Sequence, residues 1–136
     1  MNILKIKTMR REIGNIGEHL AAKFYKKNGY KILEKNYVAL GHEIDLIVKN
    51  KEYIVFCEVK TRTLKEQSSL EARPASAVTK EKQKKIINVT KYYIGNKSPG
   101  RKIRFDIIEV YLDEGKRLKS INCIESAFNI NTAYGT

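Results

Sequence analysis

The stretch HEIDLIVKNKEYIVFCEVKTR, residues 42–62, reads as two apolar strands joined by a polar turn. Ile44, Leu46 and Val48, then Tyr53, Val55, Cys57 and Val59, recur at the period of two that a β-strand imposes. Asp45, Glu58 and Lys60 interrupt this apolar pattern. With the turn at Asn50-Lys51, Lys49 faces Glu52, Asp45 faces Phe56 and Glu43 faces Glu58. Directly opposed residues share a face, as do residues two apart along a strand. Asp45, Glu58 and Lys60 are therefore expected on one face, the two acids diagonal with Cα atoms roughly 7–8 Å apart. A three-residue turn would put the acids on opposite faces.

That face also carries Ile47, Ile54 and Phe56, so unpaired charges on it would be costly. Two arrangements satisfy them. In one, Lys60 pairs with Glu58 or Asp45 in a salt bridge and nothing reacts. In the other, the carboxylates hold Mg²⁺, which takes one or two carboxylates, keeps waters and accepts phosphate oxygens. The lysine then serves a metal-bound water or offsets charge that develops during phosphodiester hydrolysis.

Outward from the hairpin, Ile13, Ile16, Leu20, Ala21 and Phe24 fall at helical spacing over 11–28, and Gly29 stops the helix. Residues 1–10 show no pattern. Residues 30–40 predict a strand, with further strands near 43–49 and 52–60. The polar run 61–77, with Pro74, predicts a long loop. Thr79 can cap a helix over 80–94 with Ile86, Ile87, Val89 and Ile94 inward. IRFDIIEVYL and RLKSINCIES predict two last strands, and the tail after Phe128 is expected to fray. The order α-β-β-β-α-β-β predicts an α/β domain over 11–129 with a mixed sheet and at least two helices.

The chain has 136 residues, 42% hydrophobic and 31% charged, which fits one folded domain and excludes a disordered chain. No apolar run approaches the ~20 residues of a membrane span, and the start lacks a secretory signal. These features predict a cytoplasmic protein without a membrane partner. Cys57 and Cys123 read as buried free thiols, since a disulfide framework or zinc site needs more ligands. A net charge of +12 favours a polyanionic partner, nucleic acid first. The alternative is a lysine-rich composition with no ligand behind it.

Five blocks occur in one order: NIGEHLAAKFYKKNGYKILEKNY, HEIDLIVKNKEYIVFCEVKTR, AVTKEKQKKI, IRFDIIEV and IESAFN. This succession resembles the YraN-like family of predicted endonucleases, within the PD-(D/E)xK nuclease superfamily. It covers roughly residues 14 to 129. The resemblance implies a restriction-endonuclease-like fold, a central mixed β-sheet of about five strands flanked by α-helices. It also implies Mg²⁺-dependent cleavage of DNA, with Mn²⁺ as a substitute ion. Carried over by position, Asp45 and Glu58 match the metal-binding acids and Lys60 the catalytic lysine. Glu18, on the first helix, is similar to a metal-binding, catalytic glutamate of archaeal Holliday-junction resolvases, which implies branched or damaged DNA and a homodimer. His42 stands where the family block has Gly, and Ile44 where the superfamily has Pro.

Gly14, Gly17, Ala21 and Ala22 are small, which lets the first helix approach the sheet beside Glu18. Lys82 and Gln83 match a Lys-Gln pair of the family, and with Lys84, Arg62 and Arg73 they are the expected phosphate contacts. A solvated face is the plainer reading of most lysines on the second helix. Arg104 and Asp106 read as a structural ion pair, and His19 and His42 as ordinary surface or packed residues. Two other functions remain open: a nucleic-acid-binding module that does not cut, and a protein-interaction scaffold.

Overall fold

The computed structural model describes residues 2–63 and 78–135. Helix α1 (Ile3–Lys27) leads into strands β1 (Lys31–Ala39), β2 (His42–Lys49) and β3 (Tyr53–Thr63). Helix α2 (Lys80–Ile94), strands β4 (Lys102–Leu112) and β5 (Leu118–Phe128) and a short helix α3 (Ile130–Tyr134) follow. The five strands form one sheet in sequence order. Every neighbouring pair is antiparallel except β3 and β4, which run parallel. A parallel pair needs a crossover between its strands, and the segment holding α2 provides it. The result is an α/β fold around a mixed sheet, consistent with the restriction-endonuclease-like fold.

Both faces of the sheet are covered. Ala21, Ala22 and Tyr25 of α1 pack on Leu46, Val48, Val55, Cys57, Ile108 and Val110. On the other face, Ile86, Ile87 and Val89 of α2 pack on Ile47, Ile54, Phe56 and Phe105. The central strands thus read as near-continuous apolar runs. The small surface on α1 acts as expected at Gly17, where an added Cβ would overlap the Thr61 side chain. At Gly14 nothing lies within 4 Å of such an atom, so close approach is confined to one turn.

Three boundaries differ from expectation. The helix begins at Ile3, with the Asn2 side chain accepting from the Lys5 N–H at 2.9 Å. Its first turns bury nothing that periodicity could report, since residues 3–12 are exposed apart from a half-buried Ile6. Strand β3 runs on to Thr63, because β4 pairs with it that far. Asn129 caps α3, whose Ala133 is buried, so the tail is ordered where fraying was expected.

Arg104 and Asp106 form the structural pair read from the sequence. Both are buried, and two hydrogen bonds of 2.9 and 2.8 Å join them. The Tyr25 hydroxyl and the Ser126 N–H also donate to Asp106, while Arg104 donates to the Tyr30 hydroxyl. Cys57 and Cys123 are free thiols, buried and half-buried. Among the described residues no helix is long and apolar enough to cross a membrane.

Candidate active site

The hairpin turns one residue later than its sequence suggests. Asn50 Oδ1 accepts from the N–H groups of Glu52 and Tyr53 at 2.9 and 2.7 Å, which makes Lys51-Glu52 the tip. The register moves by two residues, so Ile47 faces Phe56 and Leu46 faces Cys57. An even shift keeps every side chain on its face.

The ladder stops at Leu46 and Cys57, and there the strands part. Beyond it Asp45 Oδ2 accepts the Val59 N–H at 2.8 Å, so a side chain replaces a ladder partner. Strict alternation fails at this point. Ile44 and Ile47 both join the α2-side core, while Leu46 joins the α1-side core. The neighbouring strand is distorted too: Asn36 adopts a φ of 52° and drops out of the β1–β2 ladder between Lys35 and Tyr37. Asn tolerates this left-handed region better than most residues.

Asp45 consequently lies between the two layers. On the α1 side it lines a cavity of about 200 Å³ with Asn15, Glu18, His19, Lys35 and Asn36. Glu18 Oε1 accepts from the Asn36 side chain at 2.6 Å. Burial raises the Asp45 pKa to about 7; the Val59 hydrogen bond opposes this, and the charges of Glu18, Glu58 and Glu43 add to it.

Glu58 is held from the other layer. Its Oε1 is ion-paired with Lys82 Nζ, from the first turn of α2. The Glu58 side chain is only 14% exposed, and its Oε2 is buried with no hydrogen-bond partner among the described residues. The salt bridge considered for Lys60 is thus made by Lys82, which the sequence reading had assigned to phosphate. Lys60 enters none of the ion pairs among the described residues. Its pKa is lowered, by burial first, with Glu58 opposing and Lys82 and Arg62 reinforcing the shift.

The described residues contain no group of three His, Cys, Asp or Glu side chains close enough to hold a metal together. Asp45, Glu58 and Glu18 therefore surround the parting of the strands without forming one ligand cluster. A two-carboxylate site still fits a hard cation, because Mg²⁺ completes its shell with water and phosphate oxygens. The unpartnered Glu58 Oε2 and the mutual repulsion at Asp45 are what such an ion would relieve.

The expected phosphate contacts separate. Gln83 is buried, its amide donating to the Val78 carbonyl and accepting from Thr132, which ties α2 to α3. Lys84 lies over the Tyr134 ring, 5.2 Å from its centroid. Arg62 follows Lys60 on the same face and is half-buried. Arg73 lies outside the described residues.

Two further residues border this group: Glu109, which the sequence did not single out, and His42, expected to be an ordinary surface or packed histidine. Glu109 pairs in register with Lys60 and is buried, accepting from the Tyr111 hydroxyl at 2.8 Å and the Asn122 amide at 3.0 Å. An acid inside IIEVYL was the available signal. His42 has its pKa lowered by burial and then by Lys82, which places it beside the Glu58–Lys82 pair.

Comparison with known proteins fits this arrangement of blocks and strands. Residues 17–110 match the uncharacterised protein family UPF0102. A UPF0102 protein of Caldanaerobacter subterraneus subsp. tengcongensis is 44% identical over 124 residues, which cover 90% of this chain and 98% of that one. A UPF0102 protein of Caldicellulosiruptor saccharolyticus is 39% identical over 120 residues, 88% of this chain and 98% of that one. A third, from Clostridium botulinum (strain Loch Maree / Type A3), is 41% identical over 122 residues, 88% and 96% of the two chains. The chain belongs to the uncharacterised protein family UPF0102, the YraN-like family whose sequence blocks it resembles.

Proposed function

We propose that this protein is a divalent-cation-dependent endonuclease that hydrolyses phosphodiester bonds in DNA. The observation that carries the reading is the pair formed by Glu58, with a buried and unpartnered Oε2, and Asp45, whose carboxyl is raised to about 7. Buried carboxyl oxygens seldom lack a partner without a reason. Asp45 and Glu58 would hold Mg²⁺ or Mn²⁺. Such an ion, when bound, polarises a phosphate oxygen and lowers the pKa of a water.

The chain's own residues supply the rest. The Val59 N–H fixes the Asp45 carboxylate in the gap between β2 and β3. Lys60 Nζ, free of any ion pair among the described residues, is available to donate to the oxygen on which charge develops. Lys82, 42% exposed, can leave Glu58 for a phosphate. Free thiols at Cys57 and Cys123 suit a reducing cytoplasm.

A binding module that does not cut is the second reading. The closed Lys82–Glu58 pair favours it, because it already neutralises one of the two acids. Incubation with linear duplex, single-stranded, flap and four-way-junction DNA, with Mg²⁺ or Mn²⁺, separates the two. The nuclease reading requires cleavage that Asp45→Asn and Lys60→Ala both abolish. DNA binding with no cleavage of any substrate would leave the binding module.

A further inference from the structure

Helix α1 outruns the sheet. Its Tyr25 reaches Asp106, its Gly17 crosses β3 at Thr61, and its Glu12 meets Lys116 in the turn after β4. Strands β3 and β4 are parallel, with Cys57 beside Asp106 and Thr63 beside Leu112. The three contacts therefore step towards the strand ends that carry Glu58, Lys60 and Arg62. The residues before Glu12 project past the sheet at that same end. The whole helix has 25 residues, so it is about 37 Å long.

The projecting turns carry Lys5, Lys7, Arg10 and Arg11, and all four side chains are exposed. The β4–β5 turn beside them holds Lys116 and Arg117 together with Asp113 and Glu114, and Lys119 follows in β5. Glu12, the acid of this stretch of helix, is matched by Lys116 at 3.1 Å. Arg11, Lys116 and Arg117 line a concavity of about 760 Å³ together with Asn15 and His19. Asn15 and His19 also line the Asp45 cavity, so the basic concavity adjoins the candidate site.

A second copy of the chain suits this surface poorly, since it would set the same cations against one another. A polyanion matches it. The surface also has length: the ten residues from Ile3 to Glu12 extend about 15 Å, over which one strand of a duplex presents about four phosphates. A duplex is stiff over that distance and presents phosphates at fixed spacing. We propose that the first turns of α1 and the β4–β5 turn grip the backbone of a double-stranded nucleic acid, away from the phosphate that lies at Asp45 and Glu58. The inference rests on the nucleic-acid part of the reading above and names duplex as its substrate class.

The test is binding of a labelled mixed-sequence DNA duplex of about two helical turns, and of its single strand, over a salt series without divalent cation. The triple variant Lys7→Gln, Arg10→Gln, Arg11→Gln is compared with Lys26→Gln, Lys27→Gln, Lys97→Gln, which removes equal charge at the other end of the molecule. Thermal unfolding of each variant checks that the fold is kept. The first variant should lower the slope of log K against log salt by about 2–3 for duplex. The second should leave the slope near that of the wild type. Equal losses in both variants would overturn the proposal, as would equal affinity for single strand and duplex. So would binding to anionic phospholipid vesicles without binding to DNA, an outcome for which Ile3 and Leu4, 67% and 72% exposed, provide the apolar contacts. Duplex binding that depends on Lys7, Arg10 and Arg11, by a protein that cuts nothing, would sink the nuclease reading and leave this one standing. Cleavage with binding independent of these residues would do the reverse.

Discussion

Replacing Asp45 by Asn should stabilise the protein in the absence of divalent cations. The carboxyl rises from its ordinary 3.8 to about 7, through burial first and the neighbouring carboxylates Glu18, Glu58 and Glu43 after it. The folded state therefore holds this proton more tightly than the unfolded state does. Stability from that proton is complete below 3.8 and is lost as the pH rises through about 7. Each pKa unit is worth about 1.4 kcal/mol, so ionised Asp45 costs the native state about 4 kcal/mol at about pH 8. Asn keeps an acceptor for the Val59 N–H, bonded at 2.8 Å in the wild type, and carries no charge. The variant should unfold roughly 10–15 °C higher at about pH 8. The gain should halve near pH 5.5 and vanish below about pH 4. Saturating Mg²⁺ should narrow the gap, because only the wild type gains binding energy, about 2.7 kcal/mol at a hundredfold excess over Kd. Differential scanning calorimetry across pH, with and without Mg²⁺, measures all of this. A variant less stable than wild type at about pH 8, or a difference that ignores pH, would refute the reasoning.

Lys82→Ala should tighten Mn²⁺ binding by calorimetry, because it removes the cation that competes for Glu58 Oε1, and should weaken DNA binding at the same time. Gly17→Ala should lower stability by about 1–3 kcal/mol, since its methyl meets Thr61 and α1 must lift off the sheet; urea titration reads the loss. Asp106→Asn should cost roughly 3–5 kcal/mol by the same titration, because buried Arg104 loses its close countercharge and keeps only the exposed Glu125 carboxylate at 3.8 Å, and Mg²⁺ should not recover it.

What the sequence made legible follows from what each segment buries. Ile13, Ile16, Leu20 and Phe24 announce a helix because they pack against the sheet. Ile3 to Met9 announce nothing because no core lies under them. The strands around Asp45 and Glu58 were readable, yet their register was not. Asn50, taken as part of the turn, caps it through its own side chain and pushes the tip along by one residue. Lys82 reaches Glu58 from another element, 24 positions away, and no spacing rule foretells that contact. Gln83 was an expected phosphate contact because Lys82-Gln83 matches a Lys-Gln pair of the family, but Val78 and Thr132 engage both ends of its amide.

Two acids buried in one sheet show how a structural charge differs from one kept for a ligand. Asp106 lies mid-sheet at 0% exposure, and Arg104, Tyr25 and Ser126 all donate to its two oxygens. Nothing is left for a ligand to satisfy, and folding alone accounts for every partner. Glu58 is almost as enclosed, yet one oxygen holds a half-exposed lysine and the other has no partner among the described residues. Asp45, beside it, has one backbone donor and three acidic neighbours. Both sit where β2 and β3 part, at the margin of the two cores. Folding by itself would favour apolar side chains here, because buried ion pairs rarely repay their desolvation. The proposed cation and phosphate would give these charges, which oppose folding at a sheet end surrounded by lysine and arginine, the partners that folding does not.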